Sequence, residues 1–212
     1  MAAARRPVTV LLVRHGTTAT TGEVLPGRAP GLHLAEAGRA QAEATAARIG
    51  ALADVRAVYA SPLERAQETA APIARATGRR VRRVDGLNEC DFGDWTGRKL
   101  ADLRRLAAWR QVQGTPSGFR FPGGESFAEM QTRICGTVGE LTARHRGGAI
   151  VAVSHADPIK AAVAQAVGTH LDLFQRLVIS PCSITVIAYS SHGPLVLAVN
   201  STGDDLRTLR PS

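Results

Sequence analysis

Three places in this 212-residue chain combine a short hydrophobic run with residues that can handle an anion. Arg14-His15 follows residues 8–13, Ser61 and Arg65 follow residues 55–60, and His155 follows residues 149–153. The runs are short and rich in β-branched residues, the pattern of strands buried on both faces of a parallel sheet. In open α/β sheets, ligands bind outside the carboxyl ends of the strands. If the three strands are adjacent, two histidines and two arginines converge on one crevice. Guanidinium forks grip phosphate through paired, charge-assisted hydrogen bonds, so a phosphate suits this set of groups.

The elements that must hold these residues follow from spacing and punctuation. Residues 35–52 read as an Ala-rich helix ending near Gly50. Ser61-Pro62-Leu63-Glu64 reads as a capping box with Pro62 at the first helical position. The helix behind it aligns Leu63, Ala66, Ala70 and Ile73 on one face. A third strand is expected at 80–84, a helix over 97–110 and a Gly/Pro loop over 114–124. From Ser126, the spacing of Phe127, Met130, Ile134, Val138 and Leu141 predicts an amphipathic helix. Asp157-Pro158 reads as the start of another, with Asp157 as its N-cap. Residues 183–189 and 195–200, joined by 190–194, read as a hairpin. Strands alternating with helices predict an α/β fold: a doubly wound, three-layer α/β/α arrangement over residues 1–212 as a single domain. Its central sheet should be mostly parallel, with an antiparallel C-terminal hairpin.

Composition narrows the function. The formal net charge is +8, carried by 24 Arg and only 2 Lys spread along the chain. Its densest cluster, Arg79, Arg80, Arg82 and Arg83, reads as a solvated turn and strand edge. Aromatic residues make up 4%, too few for base-stacking platforms, so no nucleic-acid partner is expected. Three cysteines without a C-x-x-C pair support neither a disulfide framework nor a zinc site, and reduced thiols fit a cytoplasmic protein. The apolar run at 8–13 is too short for a signal segment or a membrane span. The sequence leaves homo-oligomerisation open. His33, His145, His170 and His192 belong to no motif.

Five blocks then appear in order. Leu12-Val13-Arg14-His15-Gly16-Thr17-Thr18 resembles the R-H-G-x-T signature of the histidine phosphatase (phosphoglycerate mutase-like) superfamily. Residues 61–70, SPLERAQETA, resemble its S-x-L-x-R-A-x-x-T-A block. Residues 87–97, LNECDFGDWTG, resemble L-x-E-x-x-F-G-x-W-x-G. Pro122-Gly123-Gly124-Glu125-Ser126 and Val153-Ser154-His155 resemble its last two blocks. The resemblance runs from about residue 8 to 190. It implies a metal-independent phosphomonoester hydrolase that needs no cofactor and acts on a small phosphorylated metabolite. The implied catalytic residues are His15 as the nucleophile that becomes phosphorylated, Glu89 as the general acid, and His155. The implied phosphate-binding residues are Arg14, Arg65, His155 and Thr18. Asp91, Asp94 and Asp157 compete with Glu89 for the acid role, and Glu125 either touches substrate or favours the next helix start.

Two positions depart from the family pattern. Thr21 stands where many members carry a phosphate-holding Asn, and Ala156 stands where many have Gly after the second histidine. Both are weaker substrate-binding candidates. Mutases of the superfamily generally carry a Trp-Asn pair after R-H-G and longer segments over the site. Here Ala19-Thr20-Thr21 occupies that region, and the lid and substrate-selecting segment expected at 95–125 is short. A more open site admits water, which favours phosphatase over the alternative, a cofactor-dependent phosphoglycerate mutase. The alternative of another class is a catalytically inactive binding or scaffold protein of the same fold.

Overall fold

The computed structural model describes residues 6–203 and Leu206; the charged start of the chain, residues 1–5, lies outside the described residues. Six strands form one sheet in the order β3-β2-β4-β1-β5-β6. These are β1 (Val8–Arg14), β2 (Val55–Ala60), β3 (Val81–Arg83), β4 (Gly148–Ser154), β5 (Ile184–Ser190) and β6 (Gly193–Ser201). The first four run parallel, β5 runs antiparallel to β1, and β6 closes the expected antiparallel hairpin.

The strand period of two divides the core. Val8, Val10 and Leu12 of β1 face a layer containing α5 (Phe127–Ala143) and α6 (Ala156–Ala166). Leu11 and Val13 face α1 (Glu36–Gly50) and α2 (Glu64–Thr77). The result is the three-layer α/β/α arrangement read from the sequence. The α5 face predicted from spacing is buried throughout, Phe127, Met130, Ile134, Val138 and Leu141 each exposing 1% or less. Burying side chains of this size stabilises the fold by roughly 1.5–3 kcal/mol each. The expected arginine cluster is exposed, with Arg79 and Arg80 between α2 and β3 and Arg82 and Arg83 on edge strand β3, where charge blunts a sheet edge against further pairing. Among the described residues no helix is long and apolar enough to cross a membrane.

Three local expectations are corrected. The 97–110 helix is two short ones, α3 (Leu100–Leu103) and α4 (Ala107–Gly114). The chain turns between them so that Leu103 is buried and Trp109 stacks on Trp95 at 6.3 Å. Ser61 does not cap α2. The helix begins at Glu64 after Leu63, and the Ser61 hydroxyl instead donates to Asn88 Oδ1 at 2.9 Å. Asp157 is not the N-cap of α6. His155 occupies that position, and the Asp157 carboxylate accepts from Lys160 Nζ at 3.2 Å. Ser61 is drawn off by a tertiary partner, and Asp157 by a partner one turn along its own helix. The capping box lies instead at α5, between Ser126 and Glu129.

Candidate active site

The parallel register places the three predicted strand ends side by side. Arg14 pairs with Ser154 across β1 and β4, and Ala60 pairs with Val153 across β2 and β4. The ladder runs one residue further on each side: His15 N–H donates to Ser154 O at 3.0 Å and Ser61 N–H to Val153 O at 2.9 Å. His15, Ser61 and His155 therefore emerge at one sheet edge. The turn after His15 is possible because glycine faces glycine. A Cβ on Gly16 would meet Gly38 O at 2.6 Å, so the loop lies directly on the α1 backbone.

His15 is 6% exposed. Its Nδ1–H donates to Gly16 O at 2.8 Å, which leaves the lone pair on Nε2. Arg65 Nε–H donates to that Nε2 at 3.3 Å. Burial, then the positive charges of Arg65 and Arg14, push the imidazole pKa down to about 3. At neutral pH His15 is an uncharged ring whose Nε2 lone pair accepts the long Arg65 bond.

Around this ring, three buried polar atoms have no hydrogen-bond partner among the described residues: Arg14 Nε, Arg65 Nη1 and His155 Nδ1. Each belongs to a side chain that is anchored through another of its atoms. Arg65 is fully buried and gives Nη2–H to Gly27 O at 2.7 Å. Arg14 gives Nη1–H to Ile179 O at 2.7 Å. His155 lies 5.1 Å from the His15 ring, centroid to centroid, and its Nε2 meets Ser61 Oγ at 2.9 Å. Since the Ser61 hydroxyl proton goes to Asn88, the His155 Nε2 carries the hydrogen and Nδ1 faces the site. A buried unsatisfied polar group costs roughly 1–3 kcal/mol, more if charged. The two free guanidinium N–H groups beside one neutral histidine form a preorganised cradle for an oxyanion, and His155 Nδ1 joins them as a donor only when it is protonated.

Glu89 borders the cradle, its Oε2 3.9 Å from His155 Nδ1. Burial, then the charge of Asp157, raise its pKa to about 7, against the Cys90 N–H bond, Arg65 and Arg14. A carboxyl that still holds a proton near neutrality stands next to an imidazole that does not. The competing carboxylates differ. Asp91 accepts from Gly93 N–H, Asp94 is exposed, and Asp157 is paired to Lys160.

The weaker candidates fall as follows. The Thr18 and Thr21 hydroxyls bond each other at 3.0 Å, and Thr21 Oγ1 also accepts from Thr18 N–H. Ala156 opens α6 next to His155. Both Glu125 oxygens are occupied by protein donors, from Arg28, Arg133 and the Asp91 N–H. The sequence reading passed over Gly27, Asn88 and Ile179 as partners of the site residues. Two of those contacts are backbone carbonyls, which leave no residue-type signal. Among the described residues, no group of His, Cys, Asp or Glu could hold a metal ion.

A doubly wound sheet whose strand ends present a neutral histidine, a second histidine and two arginines defines a phosphate-handling α/β protein. The chain belongs to the histidine phosphatase superfamily (branch 1), whose family model matches residues 10–202. It is similar to phosphoserine phosphatase 1 of Hydrogenobacter thermophilus, 31% identical over 201 residues, 92% of this chain and 93% of that protein. It is also similar to a probable phosphoglycerate mutase of Cronobacter sakazakii, 33% identical over 183 residues, 85% of this chain and 84% of that one. Among solved structures, a mycobacterial glucosyl-3-phosphoglycerate phosphatase superposes with a TM-score of 0.82 at 25% identity, over 92% of this chain and all of that one. The chain spans about half the length (55%) of the mycobacterial relatives to which it is 32% identical over 206 residues.

Proposed function

We propose that this chain hydrolyses small phosphomonoesters through a phosphohistidine at His15. The observation that carries the reading is the trio of unpartnered buried atoms, Arg14 Nε, Arg65 Nη1 and His155 Nδ1, around a neutral imidazole. His15 Nε2 attacks phosphorus, the bond to the ester oxygen breaks, and Glu89 gives that oxygen its proton. The ring becomes cationic while Gly16 O keeps its Nδ1–H, and the arginines offset the charge on the phosphoryl oxygens. An arriving phosphate dianion favours protonation of His155 Nδ1, which turns that atom into a further donor. Water then attacks phosphorus, Glu89 takes the water's proton, and phosphate leaves with neutral His15 restored.

The ester's organic part has a cleft of about 360 Å³, lined by Leu25, Phe92, Leu100, Trp109, Asp157 and Lys160. Asp157, on the wall of this cleft, lies near enough to the centre for its charge to act on both Glu89 and Arg14. Much of the cleft wall comes from 95–125, which fits a substrate-selecting role for that segment. Trp95, Phe119 and Phe121 pack against one another at 5.0–5.5 Å and hold the segment down. Likeness to a probable phosphoglycerate mutase supports a second reading, transfer of the phosphoryl group back to a phosphoglycerate. Rapid quench with radiolabelled p-nitrophenyl phosphate tests the first step. The parent should trap an acid-labile, base-stable phosphoenzyme, and His15→Ala should trap none. A parent that turns over without labelling refutes the reading. A parallel mutase assay on 3-phosphoglycerate separates hydrolysis from transfer.

A further inference from the structure

The loop that carries Glu89 is fastened from outside the catalytic centre, and the fastening converges on Arg133 of α5. All five N–H donors of this guanidinium are used. Nη1 donates to Gly86 O and Asn88 O, each at 2.9 Å, and Nη2 to Glu89 O at 3.2 Å. Nε and Nη2 also hold the two Glu125 oxygens at 2.7 and 2.8 Å. Glu125 Oε2 in turn accepts from Asp91 N–H at 3.1 Å and from Arg28 Nη2 at 3.0 Å. Arg28 Nε closes the circuit on Glu89 O at 2.8 Å.

The direct bonds of Arg133 end on the Glu89 loop and on Glu125, while the phosphate side lies next to the clamp and is held by bonds of its own. Asn88, whose carbonyl Arg133 holds, accepts the Ser61 hydroxyl proton and so sets the His155 tautomer. Arg28 follows Gly27, whose carbonyl holds Arg65. Gly93 and Gly124 let the two strips of backbone touch: a Cβ on Gly124 would meet Asp91 O at 2.4 Å, and one on Gly93 would meet Pro122 O at 2.1 Å.

We propose that Arg133 is a positioning residue which, with Glu125 and Arg28, fixes the distance between the Glu89 proton donor and the phosphate cradle. The proposal rests on Glu89 being the acid of the proposed hydrolysis. A lysine offers one nitrogen with three donors and cannot span three carbonyls and a carboxylate.

The test compares Arg133→Lys with the parent on an alkyl phosphate, whose leaving oxygen needs a proton, and on p-nitrophenyl phosphate, whose leaving oxygen does not. A displacement of about 1 Å costs on the order of 10²-fold in a positioned step. The expected result is a kcat loss of that order on the alkyl ester, with little change on p-nitrophenyl phosphate. Adding Arg133→Lys to Glu89→Gln should then produce no further loss on the alkyl ester. Retained p-nitrophenyl phosphate turnover shows that the fold survives. If Arg133→Lys does not fold, Arg28→Gln, at a more exposed site, should give the same split at smaller size. Equal losses on both esters, or independent losses in the double variant, overturn the proposal while leaving Glu89 as the acid. If Glu89→Gln itself shows no split, the acid assignment fails and the clamp proposal fails with it.

Discussion

Replacing Glu89 by Gln keeps the side chain's shape, and its Oε1 can still accept the Cys90 N–H, but the carboxyl proton is gone. The structure sets how much that proton is worth. With a pKa of about 7, rather than the ordinary 4.5, roughly half of Glu89 is protonated at pH 7 instead of roughly 0.3%, a gain of about 150-fold in competent acid. General acid catalysis contributes about 10²–10⁴-fold when the leaving group is an alkoxide. The kcat/KM of Glu89→Gln should therefore fall by about that factor on an alkyl phosphate and by less than about tenfold on p-nitrophenyl phosphate. The sign of the pH dependence follows. In the proposed hydrolysis Glu89 acts in its protonated form, so the parent should lose activity on the alkyl ester as pH rises through about 7. His15, with a pKa of about 3, leaves the acid side unaffected until far lower pH. Parent and variant are assayed on the same ester from pH 5 to 9, which cancels the ester's own titration. The limb near 7 should be present in the parent and absent in the variant. A limb that persists in Glu89→Gln, or equal losses on both esters, refutes the reasoning and moves the acid role to another carboxyl.

Arg65→Lys should lower kcat/KM by about 10²-fold or more, because one ammonium cannot hold His15 Nε2 and Gly27 O and still face the phosphate; steady-state kinetics with p-nitrophenyl phosphate reads this. Asp157→Asn should move the basic limb below 7, since the Asp157 charge helps to raise the Glu89 pKa; an unmoved limb would mean that burial alone sets it. The His15 pKa is depressed from 6.5 to about 3, so its stabilising contribution is present above 6.5 and is lost as pH falls toward 3. Urea midpoints at pH 7.5 and 4.5 should show His15→Gln losing about 2–3 kcal/mol less than the parent over that interval, at about 1.4 kcal/mol per pH unit below 6.5. EDTA should leave turnover unchanged, because the arginines supply the positive charge; activity that disappears in EDTA and returns with Mg²⁺ would require another mechanism.

The strands and the strand-end residues were legible because buried parallel strands leave short apolar runs and ligands gather at their carboxyl ends. Arg14, His15, Arg65 and His155 could be assigned to one crevice for that reason, and the α5 stripe could be read from its 3.6-residue period. The five blocks in order carried the family. What could not be read depends on contacts between distant residues. Ser61 has the local signature of a cap, yet Asn88, 27 residues away, takes its proton, because a buried site hydrogen bond outweighs a cap that water can replace. The 97–110 pattern suits one helix, but packing Trp109 onto Trp95 breaks it. Residue types and their order show which groups are available for the proposed phosphate chemistry. Their protonation comes from the fold, because the pKa values of His15 and Glu89 come from burial and from charges elsewhere in the chain. The same holds for the clamp: Arg133 binds carbonyls 44 to 47 positions away, and a backbone carbonyl leaves no mark in a sequence.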